Sequence, residues 1–482
     1  MDNIEEGYAS GEGGEKGLSQ RQLSRRDFMK LAAVAGATVG LGAGLGGLVA
    51  ACGGSTTTTT AAPASTATSA AVESSTSTVT SGPAAGREVK LGFVTPVTGS
   101  LAPFGVAEKY CVDMFKRVVG DGMVLGDGAK HPITVALVDS QSNDNRAATV
   151  AADLILNTNV DILMAASTAD TVNPVADQAE ALACPCISTD TPMESWYNRA
   201  TPPQGGYKWT YHAFWWQADN IAIYMDLWQQ VPNNKVVGVL WPNDPDGNSY
   251  RANWPKPLAA AGYKTIDGGS FPDGLEDFTD MITKFKEGGA EILAGLMSPP
   301  DFTTLLKQAK QQRYNPKIAS LGKALLFPQS VDALGSIADG LATSLMWHPT
   351  FPFTSSLTNQ TCQAFADAYE TASGKQWTQP LQHFIVFEWA VDVLKRVKSV
   401  DDKQHIIDAV STTNVETIVG PINFTQQVGA TGSTRPVPNC VRTPIVGGQW
   451  VKGTKFPFEL VICSNKNWSM IPVGATLKSL TA

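Results

Sequence analysis

The chain has 482 residues and a formal net charge of −8, and 43% of its residues are hydrophobic and 17% charged. This composition is ordinary for a soluble globular protein, and the negative charge argues against nucleic acid as a partner. The body of the chain, from about residue 87 to the end, is too long for a single hydrophobic core and predicts two domains.

The first predicted element is an export signal. Arg25 and Arg26 are followed by Phe28 and Lys30, and then by an uncharged run over residues 31–51. Paired arginines ahead of such a run are typical of bacterial twin-arginine signals. A transmembrane helix is the alternative, because the run is about long enough to span a bilayer. Its many glycines make it a poor, weakly apolar helix, so an export signal is favoured.

The uncharged run ends in Val49-Ala50-Ala51-Cys52, which resembles a lipobox. We therefore expect residues 1–51 to be a signal peptide and Cys52 to carry a diacylglycerol anchor. Residues 52–86 are rich in Ser, Thr, Ala, Pro and Gly, and such a segment cannot bury enough apolar surface to fold. We expect a disordered tether here, and an extracytoplasmic lipoprotein anchored to the cell membrane.

From Val89 onwards the sequence alternates apolar strands with helices whose apolar residues recur at helical spacing. The first half predicts strand 89–94, a helix from Val106 to Val119, strand 133–138, helix 145–156, strand 162–165, helix 172–182 and a short strand near Cys186. The pattern then restarts with helix 221–229, strand 235–240, helix 250–261, strand 263–266, helix 278–286, strand 291–296, helix 301–311 and strand 317–320.

A helical region over 361–397 and a C-terminal stretch of strands and hairpins follow. Turns are predicted at Gly429, Gly432, Gly447-Gly448 and Gly453. Alternation of this kind predicts an α/β fold of two units, each a mostly parallel sheet covered by helices on both faces.

Six cysteines follow Cys52, and an even number permits disulfides outside the cytoplasm. Cys440 and Cys463 each lie beside a strand-like run, so these two are the first candidates for a pair. A set of small buried thiols is the alternative.

Motifs of several enzyme classes are missing from the sequence. It contains no P-loop, no His-Glu-x-x-His, no Gly-x-Ser-x-Gly and no Cys-x-x-Cys. Its five histidines are scattered without the spacing of metal ligands. We therefore expect a protein that is not an enzyme and that has neither a cofactor nor a bound metal.

A resemblance to a known family begins at residues 90–105, which read Lys-Leu-Gly-Phe-Val-Thr-Pro-Val-Thr-Gly-Ser-Leu-Ala-Pro-Phe-Gly. This strand, turn and helix-starting glycine resemble the opening of the Leu/Ile/Val-binding family, the extracellular solute-binding proteins of ABC importers. Residues 135–156, residues 160–177 and the Gly-Pro segment over 418–424 resemble later parts of that family, in the same order. Together these matches cover nearly all of the body.

The resemblance implies a type I periplasmic-binding fold, in which two α/β lobes are joined by three crossovers and hold a ligand in the cleft between them. The first lobe would comprise residues 87–213 and 346–418, and the second lobe residues 214–345 and 419–482. In parallel sheets, ligands bind beyond the carboxyl ends of the strands. The implied ligand contacts of the first lobe are Phe104, Ser167, Thr168, Ser188, Thr189 and Asp190.

Two of these contacts stand at a helix start. Hydroxyls and free N–H groups at Ser167 and Thr168, after strand 162–165, would suit a ligand carboxylate. The alternatives are that these residues only cap the helix and that Phe104 only packs within its lobe.

The second lobe departs from the family's pattern. Asp246 precedes Gly247 where many members carry a tyrosine, and residues 321–324 offer Lys323 where amino-acid binders place a carboxylate for the ligand's ammonium. A buried ammonium without a counter-charge is costly, so a plain branched-chain amino acid is disfavoured. Asp246 and Lys323 are nevertheless implied ligand contacts. Lys323 could meet an anionic group, or Asp244 or Asp246 could supply the missing negative charge.

We expect an extracellular solute-binding lipoprotein of an ABC importer. Its ligand would be a small polar or carboxylate-bearing compound, such as an amino-acid-like molecule, an amide or an organic acid, that bridges the two lobes. Its partners would be this ligand, a membrane permease and the lipid bilayer, and we expect a monomer that binds no nucleic acid. The alternatives are a ligand-sensing ectodomain that signals to a partner protein, and a secreted enzyme built on the same body.

Overall fold

The computed structural model describes residues 82–200, 206–426 and 437–480. The predicted signal peptide, the anchor residue Cys52 and the turns at Gly429 and Gly432 lie outside these ranges. Residues 82–86, the predicted end of the tether, lie inside the described ranges and pair with the chain at Lys130. The Lys130 amide donates to the Ala84 carbonyl at 2.7 Å, and the Gly86 amide donates to the Lys130 carbonyl at 2.8 Å. No helix in the described part of the chain is long and apolar enough to span a membrane.

The strands follow the predicted alternation. In chain order they are β1 (Val89–Thr95), β2 (Met123–Val124), β3 (Lys130–His131), β4 (Ile133–Asp139), β5 (Ile162–Ala165), β6 (Cys186–Thr189), β7 (Thr210–Phe214), β8 (Val236–Leu240), β9 (Lys264–Asp267), β10 (Ile292–Met297), β11 (Ile318–Lys323), β12 (Ala342–Leu345), β13 (Asn414–Thr417), β14 (Gly420–Asn423), β15 (Cys440–Arg442), β16 (Val446–Lys452) and β17 (Phe458–Ser464).

The α-helices stand mainly between the strands. They are α1 (Glu108–Val119), α2 (Asp144–Asp153), α3 (Ala169–Ala181), α4 (Met193–Tyr197), α5 (Gln217–Trp228), α6 (Pro245–Asn253), α7 (Pro255–Ala260), α8 (Thr279–Glu287), α9 (Pro299–Gln311), α10 (Pro328–Asp332), α11 (Cys362–Ser373), α12 (Ile385–Arg396) and α13 (Lys403–Ser411). Single turns of 3₁₀-helix cover Ala102–Gly105 and Gly335–Ala338, a longer one covers Gln379–Phe384, and a π-helical turn covers Leu154–Thr158.

Two sheets form the layers of the molecule. The first has the strand order β15-β7-β6-β5-β1-β4 and is parallel throughout. The second has the order β17-β16-β12-β11-β10-β8-β9 and is parallel except at β16 and β17. The central strands β5, β8 and β10 are nearly continuous apolar runs because both faces of a parallel sheet are covered by helices. The predicted α/β fold is therefore confirmed. We call each sheet, with the helices packed on it, a lobe.

The chain passes between the lobes three times, after β7, after β12 and between β15 and β16. The second passage returns the helical region to the first lobe, where Phe387 of α12 packs edge-on against Phe93 of β1 with ring centroids 5.6 Å apart. β15 lies in the first sheet, although we expected residues 419–482 to belong to the second lobe. That stretch is divided between the lobes because its strands pair with β7 and β12 in turn.

Two sequence predictions of local structure are corrected. The helix expected over 250–261 is two helices, because Pro255 cannot continue the turn that precedes it. Gly447 and Gly448 lie inside β16 and form no turn. A side chain at Gly447 would meet the Ile223 and Leu227 side chains of α5 within 2.7 Å, so glycine lets the helix approach the sheet. The turn at Gly453 does join β16 to β17.

The cysteines correct a third prediction. All six in the described part of the chain are buried and unpaired. Cys440 and Cys463 lie in different sheets, so the pairing that we considered first is wrong.

We therefore expect a Cys52→Ser variant, denatured without reductant, to react with about six equivalents of a thiol reagent. Reductant should leave the melting temperature of the folded protein unchanged. A count of four thiols, or a reductant-sensitive melting temperature, would contradict the structure.

Candidate ligand-binding site

A cleft with about 470 Å³ of empty space, open solvent at its mouth included, lies at the carboxyl ends of strands from both sheets. Loops from several parts of the chain meet at this edge, because the parallel strands of each sheet all end there. The residues that line it are Phe104, Thr168, Asp190, Pro192, Phe214, Trp215, Asp246, Tyr250, Leu296, Gly322, Lys323, Leu326, Ser344 and Met346.

Three of the lining residues have unusual backbone conformations. Thr168 follows β5, Asp190 follows β6 and Lys323 ends β11, and their φ angles are +66°, +63° and +56°. Non-glycine residues rarely adopt positive φ, and strained residues of this kind cluster at functional sites. Their coincidence at one cleft marks this edge of the sheets as the candidate site.

The walls of the cleft are largely apolar. Phe104 of the first lobe packs edge-on against Phe327 of the second, with ring centroids 4.8 Å apart. Trp215 follows β7, and Tyr250 projects from α6 one helical turn after Asp246. Aromatic and aliphatic walls with a few polar groups are typical of pockets that bind small organic molecules.

A buried network supports the polar side of the first lobe. The His383 ring is fully buried between two carboxylates, with Nδ1 2.6 Å from Glu108 Oε1 and Nε2 2.7 Å from Asp190 Oδ2. The Thr95 hydroxyl donates to Glu108 Oε1 at 3.1 Å and lies 3.3 Å from the Ser167 hydroxyl. His383 thus holds the Asp190 carboxylate through Oδ2, and Oδ1 takes no part in this hydrogen bond.

The flanking carboxylates control the charge of His383. Burial lowers the pKa of the ring, but Glu108 and Asp190 raise it by more, so the pKa lies at about 10. A raised pKa in the folded state stabilises the fold at low pH. The contribution is complete below the ordinary histidine pKa of about 6.5 and is lost as the pH rises through about 10.

We expect the His383 ring to remain doubly protonated at about pH 8, where an ordinary histidine is neutral. NMR of protein labelled with ¹⁵N in its histidines measures this directly, and a His383→Gln variant assigns the signal. A neutral His383 ring at that pH would contradict the buried ion pairs.

In the second lobe, Lys323 is held by two carboxylates. Its Nζ lies 2.7 Å from Asp244 Oδ2 and 3.1 Å from Asp246 Oδ2, and all three side chains are at most 12% exposed. Burial lowers the pKa of Lys323, but Asp244, Asp246 and Asp170 together keep it above its ordinary value. Burial raises the pKa of Asp170 to about 7, and the neighbouring acids act in the same direction. The positive charge of Lys323 opposes this increase only in part.

Asp246 also reaches across to the first lobe. Its Oδ2 accepts a bond of 3.5 Å from the Ala169 amide, at the start of α3. Its Oδ1 is buried and has no hydrogen-bond partner within the described ranges. Gly247 permits this position, because a side chain there would come within 2.1 Å of the Pro242 carbonyl oxygen. An unpartnered carboxylate oxygen is costly, and a ligand donor would satisfy it.

The structure brings five of the eight predicted ligand contacts together. Phe104, Thr168, Asp190, Asp246 and Lys323 line the cleft. The other three form bonds within the first lobe: Ser167 with Thr95, Ser188 with the His212 ring at 2.8 Å, and Thr189 with the Ala213 carbonyl at 2.8 Å. Ser188 and Thr189 use their hydroxyls for these bonds within the first lobe, and neither residue lines the cleft.

Several residues that line or support the cleft were missed from the sequence. Tyr250 could have been found, since it lies one helical turn beyond Asp246 and therefore on the same face of α6. His383 and Glu108 carried no such signal, because His383 is 193 residues from Asp190 and 275 from Glu108. The described residues contain no group of three or more His, Cys, Asp or Glu placed to hold a metal ion.

Two family models match the sequence. Residues 88–436 match the model described as "Periplasmic binding protein", and residues 22–42 match the signal sequence of the twin-arginine translocation pathway. The first match spans most of the chain, and the second falls on the predicted export signal. A comparison with curated protein sequences found no match.

Solved structures share the fold at low sequence identity. The leucine-binding protein LivK from Thermotoga maritima has 18% identity and a TM-score of 0.62, over 78% of this chain and 98% of its own. LivJ from Streptococcus pneumoniae, solved with isoleucine, has 18% identity and a TM-score of 0.61, over 78% and 99%. A solute-binding protein of an ABC transporter from R. palustris, solved with 4-hydroxybenzoate, has 13% identity and a TM-score of 0.62, over 80% and 99%.

Proposed function

The chain belongs to the periplasmic binding protein family, and from this premise we propose that it is the solute-binding lipoprotein of an ABC importer. Its ligand would be a small polar organic molecule, in the range of amino-acid-like compounds, amides and organic acids, held between the two lobes. Similar folds have been solved with isoleucine and with 4-hydroxybenzoate, which supports a ligand of this size.

The cleft is the observation that carries this proposal. It joins apolar walls to carboxylates from both lobes, Asp190 from the first and Asp246 from the second. A ligand that contacts both would favour the closed arrangement of the lobes by its differential affinity for that state. The permease would then recognise the closed surface, and no bond in the ligand would be made or broken.

Export and anchoring complete the proposal. The twin-arginine signal takes the protein out of the cytoplasm. We propose that Cys52 then carries a lipid and that the following segment, rich in serine and threonine, keeps the folded body within reach of the permease.

Thermal melting tests the proposed function. In a panel of amino acids, amines, amides and organic acids, at least one compound should raise the melting temperature by several degrees, because a ligand that binds only the folded state stabilises it by mass action. No panel member should be chemically changed on incubation with the protein. Turnover of any compound would overturn the proposal, as would a complete panel without stabilisation.

A further inference from the structure

We propose, on the basis of the proposed function, that the natural ligand carries a protonated amine and no free carboxylate, so that its ammonium group bridges Asp190 and Asp246 across the cleft. The substrate class is thus an organic amine or an amine with a neutral amide or ester, joined to a compact apolar body.

Two donors that would suit an anion, one from each lobe, are already bound to the protein's own carboxylates. The Ala169 amide at the start of α3 donates to Asp246 Oδ2 at 3.5 Å. The Lys323 ammonium contacts Asp244 and Asp246 within 3.1 Å. A ligand carboxylate would have to displace one of these buried acids, which leaves an uncompensated charge behind.

Two carboxylate oxygens of the cleft are candidate acceptors for a ligand. Asp246 Oδ1 is buried without a partner in the described part of the protein, and Asp190 Oδ1 is not used in the bond to His383. Asp190 and Asp246 come from opposite lobes and are close enough to interact electrostatically. A donor with several N–H groups can satisfy both oxygens, and its positive charge removes the repulsion between the two acids.

The charge around the cleft points the same way. Six carboxyl groups interact with the two cations Lys323 and His383, namely Glu108, Asp170, Asp190, Asp244, Asp246 and Asp273. Burial raises the pKa of Asp170 to about 7 and also raises the pKa of Asp190 and of Asp273, but the other three acids alone outnumber the two cations. A site of this sign attracts a cation and repels a carboxylate.

The apolar walls of the cleft indicate the chemistry of the rest of the ligand. Phe104, Trp215, Tyr250 and Met346 offer aromatic and flexible thioether surface beside the two acids. Ammonium groups bind favourably over aromatic faces, and an alkyl or phenyl body buries its surface against the same walls.

Matched compounds test the ligand class by calorimetry on the full folded chain. One set shares a branched alkyl body: 3-methylbutylamine, L-leucinamide, L-leucine and 4-methylpentanoate. The other shares a phenyl body: phenethylamine, L-phenylalaninamide, L-phenylalanine and 3-phenylpropionate. Within a set, the amine or the amide should bind at least about tenfold more tightly than the amino acid, and the acid most weakly of all.

Variants supply a second readout. Asp246→Asn keeps the shape of the side chain and removes its charge, so it should lower the preference for 3-methylbutylamine over 4-methylpentanoate by about tenfold or more. Asp121→Asn, at an exposed acid whose side chain is 88% accessible, should leave that preference unchanged. An equal preference in wild-type protein and Asp246→Asn would overturn the inference.

The outcomes separate this inference from the proposed function. Tightest binding by the acid or the amino acid of a set would overturn the ligand class while the proposed function stood. The same conclusion follows if neither set binds but a neutral or acidic member of the wider panel does. If no compound of the sets or of the panel binds, the proposed function itself fails.

Discussion

Replacing His383 with leucine should lower the free energy of unfolding by about 3–5 kcal/mol. The ring is fully buried and lies within 2.7 Å of both Glu108 and Asp190. Without the imidazolium, two buried carboxylates would face an apolar group and lose their charge-assisted hydrogen bonds. Chemical denaturation at about pH 7, followed by circular dichroism, measures the loss.

Two controls define the origin of this effect. His405→Leu changes the same residue type at a side chain that is 40% exposed, and it should cost less than about 1 kcal/mol. Adding Glu108→Gln to His383→Leu should recover part of the loss, because one of the stranded charges is removed. A loss below about 1 kcal/mol for His383→Leu would mean that the buried network does not support the fold.

Replacing Lys323 with methionine should have a comparable effect, again about 3–5 kcal/mol. The methylene groups are kept, but Asp244 and Asp246 lose the ammonium that holds both carboxylates. Repulsion between the two acids should also displace Asp246 from the Ala169 amide, so the lobes lose a direct contact. Denaturation curves of the variant and the wild-type protein give the difference.

The matched control for this change is Lys109→Met. Lys109 also pairs with an aspartate, Asp113, but its side chain is 84% exposed. Exposed ion pairs contribute little, so this variant should lie within about 1 kcal/mol of wild type. Asp244→Asn combined with Lys323→Met should be more stable than Lys323→Met alone. Equal losses for the two lysine variants would contradict the central role of Lys323.

Local patterns predicted most of the fold. Apolar runs such as those of β1 and β10 could be read directly, because strands buried on both faces carry almost no polar residues. β7 was missed because the run Thr210–Phe214 mixes polar and aromatic residues. β12 was missed because Ala342–Leu345 includes a threonine and a serine.

The candidate site was predicted in part, and the missing part has a physical reason. Asp190 and Asp246 could be found because each lies where the family resemblance places a ligand contact, in a segment that follows a strand of a parallel sheet. The partners of those acids could not be found, since the pairing of Asp190 with His383 depends on how the lobes pack. Sequence position also suggested that Lys323 would be free for an anion, whereas the fold brings Asp244 and Asp246 to it.

Filling the cleft is the most direct test of the account. Gly322 lines the cleft, and a Cβ atom added there would make only ordinary contacts, the nearest at 3.7 Å to Leu296. A Gly322→Phe variant should therefore fold and place its ring in the space for the ligand. In thermal melts with the compound panel, stabilisation of the wild-type protein should disappear in this variant. Equal stabilisation of both proteins would place binding elsewhere and contradict the account.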